Sequence, residues 1–470
     1  MTHPPSAPPA SPPAPAVPPA PARPAPAAPP EVPRRRTAFA EGAARLRAAA
    51  RTEPGRLRII GAVVAGLLLL LGGVTFAEIS ARAADADTVR GGSQPLSARA
   101  AEIYRSLADA NTTAAAGFLA GAQEDPETRQ RYERDIDTAA ALLAEAAARS
   151  SGSAEAQRYI AVLNEALPDY TGLVETARAN NRQGMPLGGA YLRYADERMQ
   201  ETMLSAAEAL YALETERFQD DLDDARAWPW ASMVTGLVVL SVLLWAQRRH
   251  YLRTNRVFNQ GLLAATAATT VLLVWLVGAH AVARSALTDA DENAAQSLSA
   301  LYGAWTEALK ARGDESITLI ARGAGSESED SYRTHMDRLA GEEGRPEGSL
   351  LDKAHALADD AEGREPVERA IEATAEWRSR HTDARALELA GEYQDSVNMV
   401  IGPEDTTGES FDAVDASLAA AVDHEQAEFT RAANDGHSAL GGLRAAAVVL
   451  TLLGAVGAVL GIGRRLSEYR

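Results

Sequence analysis

The chain has 470 residues, of which 46% are hydrophobic, and its net charge is −18. It contains no cysteine, which excludes disulfides, thiolate metal ligands and cysteine nucleophiles. Such an acidic balance is not that of a nucleic-acid-binding protein, and the many Ala and Arg residues beside only Lys310 and Lys353 are typical of a GC-rich, actinobacterial genome.

The N-terminal region divides into two segments. Residues 1–36 are mostly Pro and Ala, cannot bury a core, and are predicted to form a disordered cytoplasmic tail. Residues 37–58 form a basic juxtamembrane segment whose arginines can reach lipid headgroups. This segment is interpreted either as an interfacial helix or as the charge cluster that orients the first span, and membrane lipids are its expected partners.

Four apolar runs follow along the chain. They cover residues 59–77, 229–247, 259–283 and 443–463, and each is close to the ~20 helical residues needed to cross a bilayer core of about 30 Å. We therefore predict four transmembrane helices. Their centres carry no charged side chain, whereas transporters usually mark their route with such groups. A secondary transporter is accordingly disfavoured.

The charges are strongly partitioned between these spans. Basic residues predominate in residues 1–58, in the loop 248–258 and in the tail 464–470, whereas acidic residues predominate in segments 78–228 and 284–442. Basic residues close to membrane ends remain cytoplasmic. The pattern predicts a multi-pass plasma-membrane protein with both termini in the cytoplasm and the two acidic segments outside it.

Both acidic segments have helical periodicity. Apolar residues recur every three or four positions, which gives each helix one apolar face, as in the series Ile103, Leu107, Ala110 and Ala114. Four such series, separated by Gly, Pro and Ser, predict a four-helix bundle in 78–228. Segment 284–442 repeats this plan, with an interruption at Gly341–Pro346. The predicted fold class is an all-α membrane protein with four transmembrane helices and two extracytoplasmic four-helix-bundle-like domains.

The last span contains two glycines one turn apart, Gly457 and Gly461. Small residues at this spacing let helices approach closely. Either the four spans pack on one another through these glycines, or the glycines form the seam of a homodimer.

A search for chemistry finds no catalytic pattern. The chain has no phosphate-binding Gly-rich loop, and His424-Glu425 lacks the second histidine that a zinc protease requires. His335, His355 and His381 also lack the spacing of metal ligands. We expect no catalytic residue, no metal and no cofactor, and therefore a protein that is not an enzyme.

One segment combines hydrogen-bonding side chains with turn residues at the end of bundle 1 that lies farthest from the membrane. Its candidate binding residues are Asn180, Asn181, Arg182, Gln183 and Tyr191. The pattern favours either a docking surface for a ligand or partner, or the C-cap that ends the third helix of the bundle.

The layout resembles two groups of membrane proteins. A helical bundle between two spans is similar to the four-helix sensor domains of chemoreceptors and sensor kinases. The whole layout, with the segment Ala179–Arg193 and the ending Arg464–Arg470, resembles the GlnX-type membrane proteins of actinobacteria. This resemblance implies an extracytoplasmic solute-binding lipoprotein that senses amino acids, and a cytoplasmic Ser/Thr kinase that receives the signal.

The sequence therefore predicts a non-enzymatic membrane sensor or signal relay. Only eight residues follow Ile462, so we expect the message to be read by a cytoplasmic partner. The alternative is a structural protein that scaffolds the cell envelope. Neither interpretation identifies the ligand or the bundle that receives the signal.

Overall fold

A computed structural model describes residues 53–121, 124–150, 152–254, 259–289, 294–321, 325–342, 345–402 and 404–467. The expectations for the tail 1–36 and for the juxtamembrane residues 37–52 lie outside this part of the chain. Within the described ranges the structure is helical, and its only β-type pairing is the isolated bridge between Glu342 and Arg345.

The helices follow one another with short connections. In chain order they are α1 (Glu53–Thr88), α2 (Gln94–Ala120), α3 (Pro126–Arg149), α4 (Ala154–Arg182), α5 (Leu187–Arg198), α6 (Ser205–Arg226), α7 (Trp230–Thr254), α8 (Gln260–Asp289), α9 (Gln296–Ile320), α10 (Ser326–Ala340), α11 (Leu350–Leu357), α12 (Ala361–Leu389), α13 (Tyr393–Ile401), α14 (Thr407–Leu440) and α15 (Leu443–Ser467). Two π-helical segments, Val89–Ser93 and Met199–Leu204, join α1 to α2 and α5 to α6 without a break.

Four stretches of helix in the described residues are long and apolar enough to cross a membrane, namely Gly55–Ala120, Leu187–Arg249, Gln260–Thr288 and Leu443–Arg464. Large apolar side chains such as Leu70 and Val274 are exposed on their outer faces, which suits contact with lipid. The predicted all-α membrane fold with four spanning helices is confirmed.

The spans pack on one another through small residues. Helices α7 and α15 each pack against α8, and Gly61 and Gly72 of α1 lie against Ile462 and Thr451 of α15. Gly457 and Gly461 of α15 face Gly261 of α8 so closely that a Cβ atom added to Gly261 would lie 2.1 Å from the Gly457 carbonyl oxygen. The side-chain amide of Asn259 also donates to the Gly461 carbonyl over 3.0 Å. In this structure the two glycines lie at a contact between α8 and α15 of one chain, and their role in a homodimer seam stays a prediction.

Next to the apolar stretches, the helices connected to them form a common core that we call the stalk. Its buried residues come from the α1–α2 junction, from α6, from α8 and the segment before α9, and from α14: Val89, Phe218, Leu222, Ala225, Leu287, Ala294, Ala295, Phe429 and Ala433. Arg90 adds a hydrogen bond of 2.9 Å to Asn434. The helices connected to the four spans thus pack together in the stalk.

Beyond the stalk lie bundle 1 (α2–α6) and bundle 2 (α9–α14). A single cluster of buried apolar residues extends through both, because α2 packs along α9. We call the contact between the two bundles the seam. Tyr211 and Tyr302 also meet edge to face across it, with ring centroids 5.9 Å apart. The two acidic segments therefore share one hydrophobic core, which the sequence did not predict.

Bundle 2 is less regular than bundle 1. Helix α10 ends at Ala340, directly before the interruption predicted at Gly341–Pro346, and α11 begins only at Leu350. The side chain of Asp360 then caps α12 by accepting a hydrogen bond of 2.7 Å from the Gly363 amide. In bundle 1, by contrast, α4 continues through Pro168.

Candidate functional site

The predicted tip residues lie at the end of bundle 1 that is remote from the spans, here called the distal end. Asn180, Asn181 and Arg182 form the last turn of α4, and Gln183 is its C-cap. Gly184 follows with φ +67°, and the amides of Gly184 and Met185 bond to the carbonyls of Asn181 and Asn180. This is the Schellman arrangement, which satisfies the last carbonyls of a helix.

Both asparagine side chains are used within the protein. The Asn180 amide donates to the Thr176 carbonyl over 2.8 Å, and the Asn181 amide donates to the Phe118 carbonyl over 2.7 Å. Tyr191 is half-buried and packs in the same apolar cluster as Phe118. Asn181 and Tyr191 therefore hold the distal ends of α2, α4 and α5 together, whereas the bond of Asn180 lies within α4.

Other tip residues remain available for contact. Arg182 and Gln183 are exposed, and the following turn exposes Met185 and Leu187 by 47% and 55%. We call Arg182, Gln183, Met185 and Leu187 the tip surface. Its predicted role as a docking surface stays a prediction.

A cluster of charges lies at the seam between the bundles. Arg131 of α3 donates two hydrogen bonds to Asp109 of α2, 3.2 Å and 3.1 Å long, and a third of 2.7 Å to Asp412 of α14. Asp109 is only 3% exposed, whereas the side chain of Asp412 is 58% exposed. Arg131 thus neutralises a buried carboxylate of bundle 1 and at the same time holds bundle 2.

Two further carboxyl groups complete this seam cluster, which comprises Asp109, Arg131, Asp135, Asp412 and Asp415. Burial, followed by the charge of Asp109, raises the pKa of Asp135 to about 7. Burial also raises the pKa of Asp415, which accepts a hydrogen bond of 2.7 Å from the Trp305 indole. Two of the four carboxyl groups in the seam cluster therefore have raised pKa values, and the charge of the cluster depends on pH.

The seam opens into a cleft of about 370 Å³ between α2 and α3 on one side and the start of α14 on the other. Its polar lining includes Thr112, Thr113, Thr128, Arg131, Arg312, Thr406, Glu409 and Asp412. A concave space of this size, with hydroxyl, guanidinium and carboxylate groups, suits a small polar solute.

A buried polar network runs from this cleft into bundle 2. Arg312 forms an ion pair with Glu315 and donates to Thr407 over 3.0 Å. Glu315 in turn lies 2.8 Å from Nδ1 of His381, and the other ring nitrogen lies 3.2 Å from Glu329. The imidazole also stacks on Tyr332, with centroids 3.7 Å apart.

The hydrogen bonds of the network favour the charged forms of His381 and Glu315 although both side chains are buried. Burial alone would lower the pKa of His381, but its hydrogen bonds to Glu315 and Glu329 raise it above the usual value. Burial alone would raise the pKa of Glu315, but Arg312 and His381 hold it below its ordinary range. His381 thus bridges two carboxylates at the distal end of bundle 2, and these carboxylates favour its protonated form.

Among the described residues, Asp360, His424 and Glu428 form a group whose possible ligand atoms all lie within 4.8 Å of one another. His424 and Glu428 are one turn apart on α14, and Asp360 caps α12. The group lies where bundle 2 joins the stalk, since Phe429 belongs to the stalk core.

Sequence reasoning missed these clusters because each depends on partners far apart in the chain. Arg131 and Asp412, for example, are separated by 281 positions. One local signal was available: Asp109 stands between the apolar neighbours Ala108 and Ala110, in a helix that the spacing of its apolar residues places in the core. An acid in that position requires a buried partner.

Comparison with known proteins gives one match. Residues 85–223 match a family model described as the actinobacterial sensor domain, which covers the end of α1 and nearly all of bundle 1. No curated protein and no solved structure matches the chain. The similarity indicates a sensing or signalling role for a protein of actinobacterial type.

Proposed function

We propose that the protein is a non-enzymatic membrane sensor that relays an extracytoplasmic signal to a cytoplasmic partner. The observation that supports this most directly is the helix Gly55–Ala120, whose 66 residues run from the first span through the stalk to the distal end without a break. A helix in such a position can carry a displacement along its whole length.

The seam offers a place where a signal can act on this helix. Arg131 connects Asp109 of α2 to Asp412 of bundle 2, and the cleft beside it has room for a small polar solute. A ligand or partner that competes for Arg131 would change how α2 packs on α9. Small shifts of packed helices of about 1–2 Å are a common means of signalling, and the stalk would pass such a shift to the spans.

We further propose which signal the protein senses and which partners it binds. The resemblance to GlnX-type proteins supports amino-acid status as the signal, a solute-binding lipoprotein as its carrier and a Ser/Thr kinase as the receiver. The tip surface is our proposed docking site for the lipoprotein, because its exposed Met185 and Leu187 are flanked by Arg182 and Gln183. The segment between α7 and α8 is our proposed site for the kinase.

The orientation can be tested directly because the natural chain has no cysteine. Gln183→Cys, at the tip surface, should react with a membrane-impermeant maleimide in intact cells. Arg248→Cys, at the other end of the spans, should react only after the membrane is permeabilised. The reverse pattern would place the bundles in the cytoplasm and refute the proposal.

The partners can be tested by photo-crosslinking in cells followed by mass spectrometry. A crosslinking amino acid at position 183 should capture a solute-binding lipoprotein, and one at position 248 should capture a Ser/Thr kinase. The control is position 137, which is exposed on α3 away from the tip. Capture of structural envelope proteins alone would favour the scaffold function over the relay.

A further inference from the structure

We propose that Asp360, His424 and Glu428 form a binding site for a divalent transition-metal ion such as Zn²⁺. Nε2 of His424 lies 3.2 Å from a carboxylate oxygen of Asp360 and 3.9 Å from one of Glu428. The site belongs to bundle 2, outside the matched sensor-domain region 85–223.

The distances suit tetrahedral coordination. With metal–ligand bonds of 2.0–2.2 Å, neighbouring ligands in a tetrahedral zinc site are about 3.4 Å apart. The two measured separations lie on either side of that value. Imidazole nitrogen and carboxylate oxygen are both zinc ligands, and three protein ligands leave the fourth position of the ion open, whereas Mg²⁺ and Ca²⁺ favour oxygen ligands alone.

A second observation concerns the hydrogen bonding of Nε2 of His424. Nε2 of His424 is buried, and no group in the described part of the chain forms a hydrogen bond of acceptable geometry with it. A buried ring nitrogen that faces two carboxylates without hydrogen-bond geometry is costly unless an ion or another group satisfies it. The ring also approaches Gly363 so closely that a Cβ atom there would lie 3.1 Å from Cδ2, so the start of α12 leaves room for the imidazole.

An ion can reach the site from solvent. The side chains of Asp360, His424 and Glu428 are 42%, 17% and 22% exposed. The ligands nevertheless come from two helices, with Glu428 and His424 separated by one turn of α14, which presents them on the same face. The alternative is an ion pair between protonated His424 and the carboxylates, which would need no metal.

The position of the site gives it a structural consequence. Glu428 immediately precedes Phe429 in the stalk core, and Asp360 ends the irregular connection between α11 and α12. A bound ion would fasten the start of α12 to the helix that leads toward the last span. The site does not depend on the proposed relay, but a regulatory effect of the ion on the spans would rest on it.

The test uses the full-length protein purified in detergent without a histidine tag and freed of metal with a chelator. Isothermal titration with Zn²⁺ should detect one site, and Zn²⁺ should raise the melting temperature. Co²⁺ in place of Zn²⁺ should give the visible absorption of a tetrahedral ion. Mg²⁺ and Ca²⁺ at the same concentration should have no such effect.

Three variants identify the ligands, and a fourth serves as a control. His424→Ala, Glu428→Gln and Asp360→Asn should each weaken Zn²⁺ binding at least tenfold. Asparagine is as good an N-cap as aspartate, so Asp360→Asn should leave α12 intact. His355→Ala is the control, because His355 also faces a carboxylate, that of Glu368, at 3.2 Å.

Each outcome decides the matter. Loss of binding in the three variants but not in His355→Ala supports the site. Absence of Zn²⁺ binding to the natural protein, or equal binding by the natural protein and the three variants, overturns it. Neither result depends on whether a lipoprotein or a kinase is captured at positions 183 and 248.

Discussion

The rings of Phe218 and Phe429 pack edge to face, with their centroids 5.4 Å apart. Phe218 belongs to α6, which descends from bundle 1 toward the second span, and Phe429 belongs to α14, which descends from bundle 2 toward the fourth. Their contact joins the two halves of the chain in the stalk. A displacement that passes along α6 or α14 between a bundle and a span passes this contact.

Phe429→Ala should therefore destabilise the protein strongly. The ring is only 1% exposed, and removal of a buried phenylalanine side chain costs about 3–5 kcal/mol. Thermal and denaturant unfolding of the full-length protein in detergent would measure the loss. The control is Leu389→Ala, because Leu389 is 80% exposed and its truncation should change stability by less than about 0.5 kcal/mol. Equal effects of the two changes would show that the stalk core is not packed as described.

Arg131→Met should lower stability because it leaves Asp109 buried without its cation. Breaking a buried ion pair by removing one partner costs about 3 kcal/mol. Asp412→Asn should cost about 1 kcal/mol or less, because this carboxylate is 58% exposed. The double variant Arg131→Met/Asp109→Asn should regain part of the loss, since it no longer buries an unpaired charge. An additive double variant, measured by the same unfolding assay, would contradict this account of the seam.

Asp135 should make stability depend on pH. Its pKa is about 7 in the folded protein, against an ordinary value of 3.8, so the folded state retains a proton that the unfolded state has lost between these values. The contribution of Asp135 to the free energy of unfolding is therefore fully present below pH 3.8 and is lost as the pH rises to 7. At this half-buried site the loss should be about 1 kcal/mol once solvent screening is allowed for.

Asp135→Asn should remove this component. Melting temperatures of the natural protein and the variant, measured at several pH values between 4 and 8, should differ in slope, and the natural protein should decline more steeply as the pH rises. Asp137→Asn, an exposed change on the same helix, should reproduce the slope of the natural protein. A natural-protein slope that Asp135→Asn leaves unchanged would rule out Asp135 as its source.

The sequence predicted which helix faces are buried, but not what they are buried against. Ile103, Leu107, Ala110 and Ala114 all lie in the interior as their spacing indicated. Periodicity defines an apolar face and contains no information about the partner helix, so the shared core of the two bundles was missed. The same reason explains why Arg131 and Asp412 could not be paired in advance.

The tip illustrates a second limit. Asn180 and Asn181 were predicted as binding residues because their side chains can form hydrogen bonds, but their amides are engaged with the carbonyls of Thr176 and Phe118. The residue type shows that a side chain can form hydrogen bonds. Only the fold shows whether a backbone group of the same protein already forms them. The exposed neighbours Arg182 and Gln183 keep that capacity for a partner.

Gly261→Ala should separate α8 from α15, because its added Cβ would lie 2.1 Å from the Gly457 carbonyl oxygen and 2.6 Å from Gly461 Cα. Both of these atoms belong to the backbone, so the clash can be relieved only by moving one helix. Overpacking of this kind costs about 1–3 kcal/mol. The loss should appear as a lower melting temperature in detergent.

Gly66→Ala provides a matched control in another span. No atom lies within 4 Å of the Cβ position at Gly66, and alanine favours a helix by about 1 kcal/mol over glycine. This variant should therefore be as stable as the natural protein or slightly more stable. Size-exclusion chromatography of both variants distinguishes the two interpretations of Gly457 and Gly461. If these glycines form a contact within one chain, Gly261→Ala should lower the melting temperature without changing the oligomeric state. If Gly261→Ala instead dissociated a dimer and left the melting temperature of the monomer unchanged, the glycines would form the seam between two copies.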